Sequence, residues 1–231
     1  MSNSELTYTG LDVLEMLDTA TNYNSLLLDL ILRSAGDRHR MLDFGAGIGT
    51  FSKALRAKGA EVTCLESDPY LAEGLARDAF QTFRHLSEVQ DDSFEFIFAL
   101  NVLEHVSDDL TTTQRLAAKL KMHGRLLIYV PAFQCLWTSL DDKLKHYRRY
   151  RREGLERLVL SAGVSVLESS YVDSIGFFAA LGFKVLGNKR GDLRPRAITL
   201  YDRYIVPPSK ALDPLLGRLF GKNAYVVAGK D

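Results

Sequence analysis

The stretch Met41-Leu42-Asp43-Phe44-Gly45-Ala46-Gly47-Ile48-Gly49-Thr50 constrains this chain more than any other. Residues suited to a buried strand run straight into three glycines at alternate positions, and a helix-compatible segment follows. Glycines there permit a sharp turn and let the backbone lie against a flat ligand with no Cβ in the way. Such a unit belongs to a parallel sheet, and the rest of the chain keeps the alternation that a sheet covered on both faces requires. Strands are expected at residues 40–44, 61–66, 79–83, 94–100, 125–130, 164–172 and 223–228. Helices are expected at 48–58, 70–77, 109–120 and 153–161, with one or two amphipathic helices before position 36. Two connections, 131–150 and 188–222, are longer than a crossover needs and read as binding or cover loops.

The length of 231 residues with 46% hydrophobic and 25% charged content suits one compact α/β domain and excludes disordered and collagen-like chains. Lys+Arg and Asp+Glu both number 29, so no overall positive field gathers nucleic acid. The neutrality hides a polarity: up to Arg115 the chain has 9 basic and 19 acidic residues, and after it 20 basic and 10 acidic. The densest basic run is Lys143-Leu144-Lys145-His146-Tyr147-Arg148-Arg149-Tyr150-Arg151-Arg152, with a second group at Lys189, Arg190, Arg194 and Arg196. These runs read either as a solvated surface or as a landing strip for an anionic or lipid-linked partner. Two cysteines, Cys64 and Cys135, make no disulfide framework and suit a reducing cytoplasm. The start lacks the pattern of a secretory leader. The longest apolar stretch, 175–187, is interrupted by Lys184 and falls short of the roughly 20 residues that span a bilayer.

The second expected strand, Val62-Thr63-Cys64-Leu65-Glu66, delivers a carboxylate at its carboxyl end, where an acid can accept hydrogen bonds from both hydroxyls of a ribose. A nicotinamide dinucleotide fingerprint wants glycine or alanine where this chain has Thr50, so adenosine without a pyrophosphate is the expected fragment. The bland alternatives are a glycine turn that serves close packing and a solvated strand-end Glu. An NAD(P)-dependent oxidoreductase remains the competing enzyme class.

The ordered set MLDFGAGIGTFSKAL, VTCLESDPYL, SFEFIFALNVLEHVSDD and HGRLLIYVPA resembles the successive motifs of class I S-adenosylmethionine-dependent methyltransferases, most closely the type 11 or type 12 small-molecule branch. The resemblance covers roughly positions 38 to 170. It implies a Rossmann-like seven-stranded sheet of order 3-2-1-4-5-7-6 with strand 7 antiparallel. It also implies an N-terminal helical cover over 1–37, a cofactor-binding core over 38–173 and a C-terminal cover with the last strand over 174–231. Asp43, Gly45, Ala46, Gly47 and Gly49 would line the methionine and ribose, Glu66 would hold the ribose hydroxyls with Ser67 beside it, and Asp68 would stand near the adenine or cap the next helix. Leu65 and Leu86 would sandwich the adenine with Ser87 adjacent, and Asn101 and Val102 would face the sulfonium end. Many relatives carry an acid just after the third strand, whereas this chain reads Arg84-His85-Leu86-Ser87-Glu88.

Methyl transfer from a sulfonium is an in-line displacement, for which the protein holds nucleophile, methyl and sulfur collinear. A hydroxyl acceptor must also lose a proton, and two histidines are candidates to receive it. His105 lies just past the fourth strand; its alternative is a turn residue bonded to backbone. His146 resembles the H-x-R-x-[FY] element that projects over the acceptor pocket in type 11 relatives. Tyr23, Phe133, Trp137, Tyr147 and Arg148 lie in segments that cover the acceptor in relatives, as do Tyr8 and Tyr150, and each is equally suited to ordinary packing. Asp141 and Asp142 are poorly spaced for magnesium, and no Cys or His spacing supports zinc, so no metal is expected. The apolar segments 176–183 and Leu212, Leu215, Leu216, Leu219 and Phe220 read as a buried helix, a dimer interface or a peripheral membrane contact. The expected function is methyl transfer from S-adenosylmethionine to a hydroxyl, or an amine, of a small or lipid-linked acceptor by a monomer or homodimer. A non-catalytic S-adenosylmethionine-binding protein is the third possibility.

Overall fold

A computed structural model describes residues 11–186 and 195–231; Tyr8, Lys189, Arg190 and Arg194 lie outside the described residues. The helices are α1 (Leu11–Asp18), α2 (Thr21–Ala35), α3 (Thr50–Arg56), α4 (Pro69–Arg77), α5 (Asp109–Lys119), α6 (Ser139–Lys143), α7 (Arg152–Ser161), α8 (Ser174–Leu186), α9 (Pro195–Tyr204) and α10 (Val206–Leu216). The strands are β1 (Arg40–Phe44), β2 (Glu61–Leu65), β3 (Gln81–Phe83), β4 (Phe94–Leu100), β5 (Leu120–Pro131), β6 (Ser165–Val172) and β7 (Asn223–Gly229). They form one sheet of order β3-β2-β1-β4-β5-β7-β6, with β7 antiparallel to both neighbours and the β1, β2, β3, β4 and β5 pairings parallel.

The continuous apolar strands are explained by a sheet covered on both faces. Successive side chains of a strand point to opposite faces. Ile97, Ala99, Leu126, Ile128 and Val130 therefore join one core with Leu116 of α5 and Leu155 and Val159 of α7. Phe96, Phe98, Leu127 and Tyr129 join another with Leu27 and Ile31 of α2, Leu55 of α3 and Leu75 of α4.

Where boundaries differ from expectation, the backbone supplies the reason. Ala79 takes φ 59° and the Phe80 N–H closes on the Leu75 carbonyl, so these two residues terminate α4 rather than begin β3. Gly49 at φ 81° is left-handed, so α3 cannot start at Ile48. β5 begins at Leu120, directly after α5, because Leu120 pairs with Phe94 across a bulge. The expected long connection 188–222 contains α9 and α10: Pro195, Pro207 and Pro208 stand at helix starts, where a missing N–H costs nothing. Likewise 131–150 contains α6. No helix among the described residues is long and apolar enough to cross a membrane.

Candidate active site at the carboxyl edge of the sheet

β1 ends in a turn that three glycines alone make accessible, with Gly45, Gly47 and Gly49 at φ 81°, 56° and 81°. The Gly45 and Ala46 N–H groups both donate to the Leu65 carbonyl, which folds the turn back over β2. A Cβ on Gly45 would overlap the Val102 side chain, so Gly45 is also a point of close approach to the turn after β4.

Glu66, buried at the end of β2, braces this turn. Its Oε2 accepts the Gly47 N–H at 2.8 Å and its Oε1 accepts the Asp68 N–H at 2.9 Å. Asp68 in turn accepts the Leu71 N–H and caps α4, with Pro69 at the first helical position. Asp43, buried in β1, accepts the Ser52 hydroxyl at 2.6 Å. Burial, followed by the nearby Glu66 charge, pushes its carboxyl up to about 7 against the Ser52 bond. Leu65 belongs to the core, with the partly buried Leu86 packed against it; Ser67 and Ser87 are exposed. Glu88 turns back to accept the Arg84 and His85 N–H groups at 2.9 and 3.2 Å.

On the neighbouring strand, β4 ends at Leu100 and Asn101 turns away at φ 54°, its N–H held by the Tyr129 carbonyl. A short 3-10 turn, Leu103–His105, follows. It places Glu104, 1% exposed, beside His105, and the long loop after β5 brings His146 against them. The two imidazole rings meet edge to face with centroids 4.6 Å apart. Burial and the neighbouring His146 hold His105 down at about 4, against an opposing contribution from the Leu144 backbone, so it is neutral at physiological pH. Burial pushes Glu104 up to about 8.

Asp141 organises this loop. Its carboxylate receives the His146 Nδ1–H at 2.9 Å, the Arg149 Nε–H and Nη2–H at 2.8 and 3.0 Å, and the Thr138 N–H at 2.8 Å. Burial opposes its charge, but these donors, His146 and Arg149 foremost, hold it well below the usual carboxylate range. A second staple runs through Asp109, which accepts from Tyr150 at 2.9 Å and pairs with Arg148 at 2.7 Å.

The other residues expected from the sequence to border an acceptor separate by environment. Tyr23 sets its hydroxyl 3.2 Å from that of Tyr129, and burial pushes it up to about 12. Phe133 stacks on Tyr171 at 4.7 Å and meets Phe177 edge-on, in a cluster remote from the histidine pair's own contacts. Trp137 stands edge-on to His146 at 6.4 Å, and Tyr147 is 60% exposed. Arg148 and Arg149 are consumed by Asp109 and Asp141, and Arg152 by Glu153 and Glu156. The basic run is therefore in large part an internal ion-pair network and not a free anionic landing strip. Glu104 was not singled out by sequence reasoning; the signal available was its position next to His105, directly past a strand.

Comparison with known proteins adds the following. The methyltransferase domain family matches residues 19–169. The biotin biosynthesis bifunctional protein BioHC of Cellvibrio japonicus is 29% identical over 154 residues, covering 60% of this chain and 30% of that protein. The ubiquinone biosynthesis O-methyltransferase of Xanthomonas campestris pv. campestris is 30% identical over 116 residues, covering 46% of this chain and 48% of that protein. The chain thus spans half or less of the length of these relatives. Among solved structures, the phosphoethanolamine N-methyltransferase 2 of Haemonchus contortus, in complex with phosphomonomethylethanolamine and S-adenosylhomocysteine, shares the fold. Its TM-score is 0.60 at 16% identity, over 99% of this chain and 58% of that one.

Proposed function

Because this chain belongs to the methyltransferase domain family, we propose that it moves a methyl group from S-adenosylmethionine to an oxygen of a small-molecule acceptor, releasing S-adenosylhomocysteine. The observation that carries this reading is the contact between Gly45 and Val102. It brings the glycine turn and the histidine-bearing turn side by side on one edge of the sheet, the place where open α/β sheets bind ligands. Gly45, Gly47 and Gly49 expose backbone to the donor. Each Glu66 oxygen that accepts one backbone N–H keeps a second lone pair for a ribose hydroxyl. Asn101 and Val102 border the sulfonium, and Glu104, His105 and His146 face the acceptor.

The catalytic contribution is alignment of the acceptor oxygen, the methyl carbon and sulfur. The oxygen attacks carbon as the C–S bond breaks and its electron pair returns to sulfur; the acceptor's proton leaves. Oxygen is favoured over nitrogen because O-methyl transfer is the activity named for the Xanthomonas relative. Residues 11–37, 174–186 and 195–231 act as the cover over a cofactor-binding core of 38–173. The Tyr23 and Asn22 N–H groups donate to Asp202 of α9 at 2.8 and 3.1 Å, tying the two cover segments together. Exposed Phe178, Phe183, Leu215 and Leu219 near that cover favour acceptors with an apolar tail as the second reading.

Calorimetric titration with S-adenosylhomocysteine, followed by transfer of labelled methyl to matched hydroxyl and amine panels, tests the reading. Saturable donor binding with label on hydroxyls is expected. Absence of donor binding, together with thermal stabilisation by NAD or NADP, overturns it.

A further inference from the structure

We propose that Glu104, His105 and His146 form a binding site for a divalent transition-metal ion, Zn2+ by preference, on the acceptor side of the cleft. One donor atom from each residue lies within 4.8 Å of the other two. All three atoms are available. His146 gives its Nδ1–H to Asp141 at 2.9 Å, which leaves a lone pair on Nε2. His105 is neutral, so one of its ring nitrogens carries a lone pair. Glu104 Oε2 is buried without any hydrogen-bond partner, in a residue only 1% exposed. A buried carboxyl oxygen without a hydrogen-bond partner is costly, and a cation beside it removes the deficit.

The surroundings are those of a metal site and not of a bare histidine pair. Metal-ligating imidazoles commonly donate their second N–H to a carboxylate or a backbone carbonyl, which fixes ring and tautomer. Here Asp141 serves His146 in that way. Asp141 is itself held by both Arg149 donors and by Thr138, so the His146 ring cannot swing freely. Two imidazole nitrogens and one carboxylate oxygen suit Zn2+ with a fourth position open. Ligands about 2.1 Å from a tetrahedral ion stand about 3.4 Å apart. The three side chains therefore need to close by at most about 1.4 Å.

Given the methyl-transfer reading, on which this further step rests, the open position takes the acceptor hydroxyl. A hydroxyl on a divalent ion gives up its proton to solvent water far more readily. The resulting oxygen attacks the methyl carbon, and the electron pair of the broken bond stays on sulfur.

The test uses the tag-free full chain carrying Cys135→Ser, so that the exposed thiol offers no ligand. After treatment with a chelator, the protein is titrated with Co2+ while its visible absorption is recorded, then with Zn2+ in competition. Saturation at one equivalent is expected, with the bands of low-coordinate Co2+. His105→Ala and His146→Ala should each weaken binding by about 100-fold or more, and isosteric Glu104→Gln should also weaken it. Asp141→Asn, which alters only a positioning residue, should cost about 10- to 100-fold and shift the Co2+ spectrum. Each variant is checked for S-adenosylhomocysteine affinity, which should not change. No Co2+ spectrum in a chain that binds S-adenosylhomocysteine normally overturns the metal site, and so does a spectrum indifferent to both histidine variants. Normal Co2+ binding without donor binding instead overturns the methyl-transfer reading and leaves the metal site standing.

Discussion

Replacing Gly45 with alanine isolates the contact that joins the two halves of the site. An alanine there must hold φ near 81°, which costs about 1–2 kcal/mol for an L-residue in the left-handed region. Its Cβ would also overlap Val102 Cγ2 and sit 3.1 Å from Cγ1, an overpacking that costs about 1–3 kcal/mol. The sum, about 2–5 kcal/mol, corresponds to a fall of about 4–20 °C in Tm for a chain of this size. Gly47→Ala is the internal control: its φ of 56° carries the same strain, but its nearest neighbour, Leu14 Cδ1, is at an ordinary 3.4 Å. It should lose about 1–2 kcal/mol. Val102→Ala removes both offending methyl groups and keeps a Cβ at 3.4 Å from the new one, so Gly45→Ala/Val102→Ala should recover the overlap part while the backbone strain remains. Val102→Ala alone should cost about 1.6 kcal/mol for two methyl groups. Guanidinium unfolding of the four proteins gives the cycle, with an expected favourable coupling of about 1–3 kcal/mol. If Gly45→Ala costs no more than Gly47→Ala, or if the double variant is simply additive, the close approach of the two turns is wrong.

Three further outcomes are expected. Asp43 is raised to about 7 when folded and sits near 3.9 when unfolded, so its stabilising contribution is full below about pH 4 and is lost as pH rises through 7, about 4 kcal/mol in all; Asp43→Asn should flatten that part of the stability profile measured by denaturant unfolding between pH 5 and 8, and a wild-type slope matching the variant's would refute the assignment. Glu66→Ala leaves the Gly47 and Asp68 N–H groups without their acceptors, each bond worth about 1.5–3 kcal/mol, and should lower both Tm and donor affinity; an unchanged Tm would refute the brace. A thiol reagent should label exposed Cys135 within the native protein and leave Cys64, buried in β2 and with its thiol pushed up to about 12, until unfolding; two native equivalents would contradict the packing.

How far these features can be read from the chain depends on how local they are. β1 and β4 coincide with expectation because runs rich in apolar residues, broken in their interiors only by Asp43 and Glu95, define them. The order of the sheet followed from the family resemblance, and the antiparallel β7 agrees with it. Element ends were less legible: the left-handed residues Ala79 and Gly49 decide where β3 and α3 begin, and a propensity pattern does not register backbone sign. The prolines of 195–208 mark helix starts as readily as loops, and only packing distinguishes the two. In the site, the glycine turn and Glu66 are contiguous motifs and were visible. His105 and His146 were visible singly, but their meeting with Glu104 depends on a loop whose course Asp141 sets through contacts no spacing rule encodes.

That dependence also explains the distribution of charge. A run of basic residues beside a ligand cleft invites an anion, yet Arg148 and Arg149 each spend their guanidinium on a carboxylate within the fold. Both ion pairs connect the loop after β5 to itself or to α5, and the Tyr147 N–H donates to the Glu104 carbonyl at 2.7 Å, so the loop is fastened on both sides of His146. Fastening of this kind restricts the ring to one placement before any acceptor arrives, and catalysis by alignment gains from restrictions already made in the free protein. Loss of the Asp141–Arg149 pair should therefore be felt first at His146, and only through it at the acceptor, while the glycine turn on the opposite side of Val102 keeps its geometry.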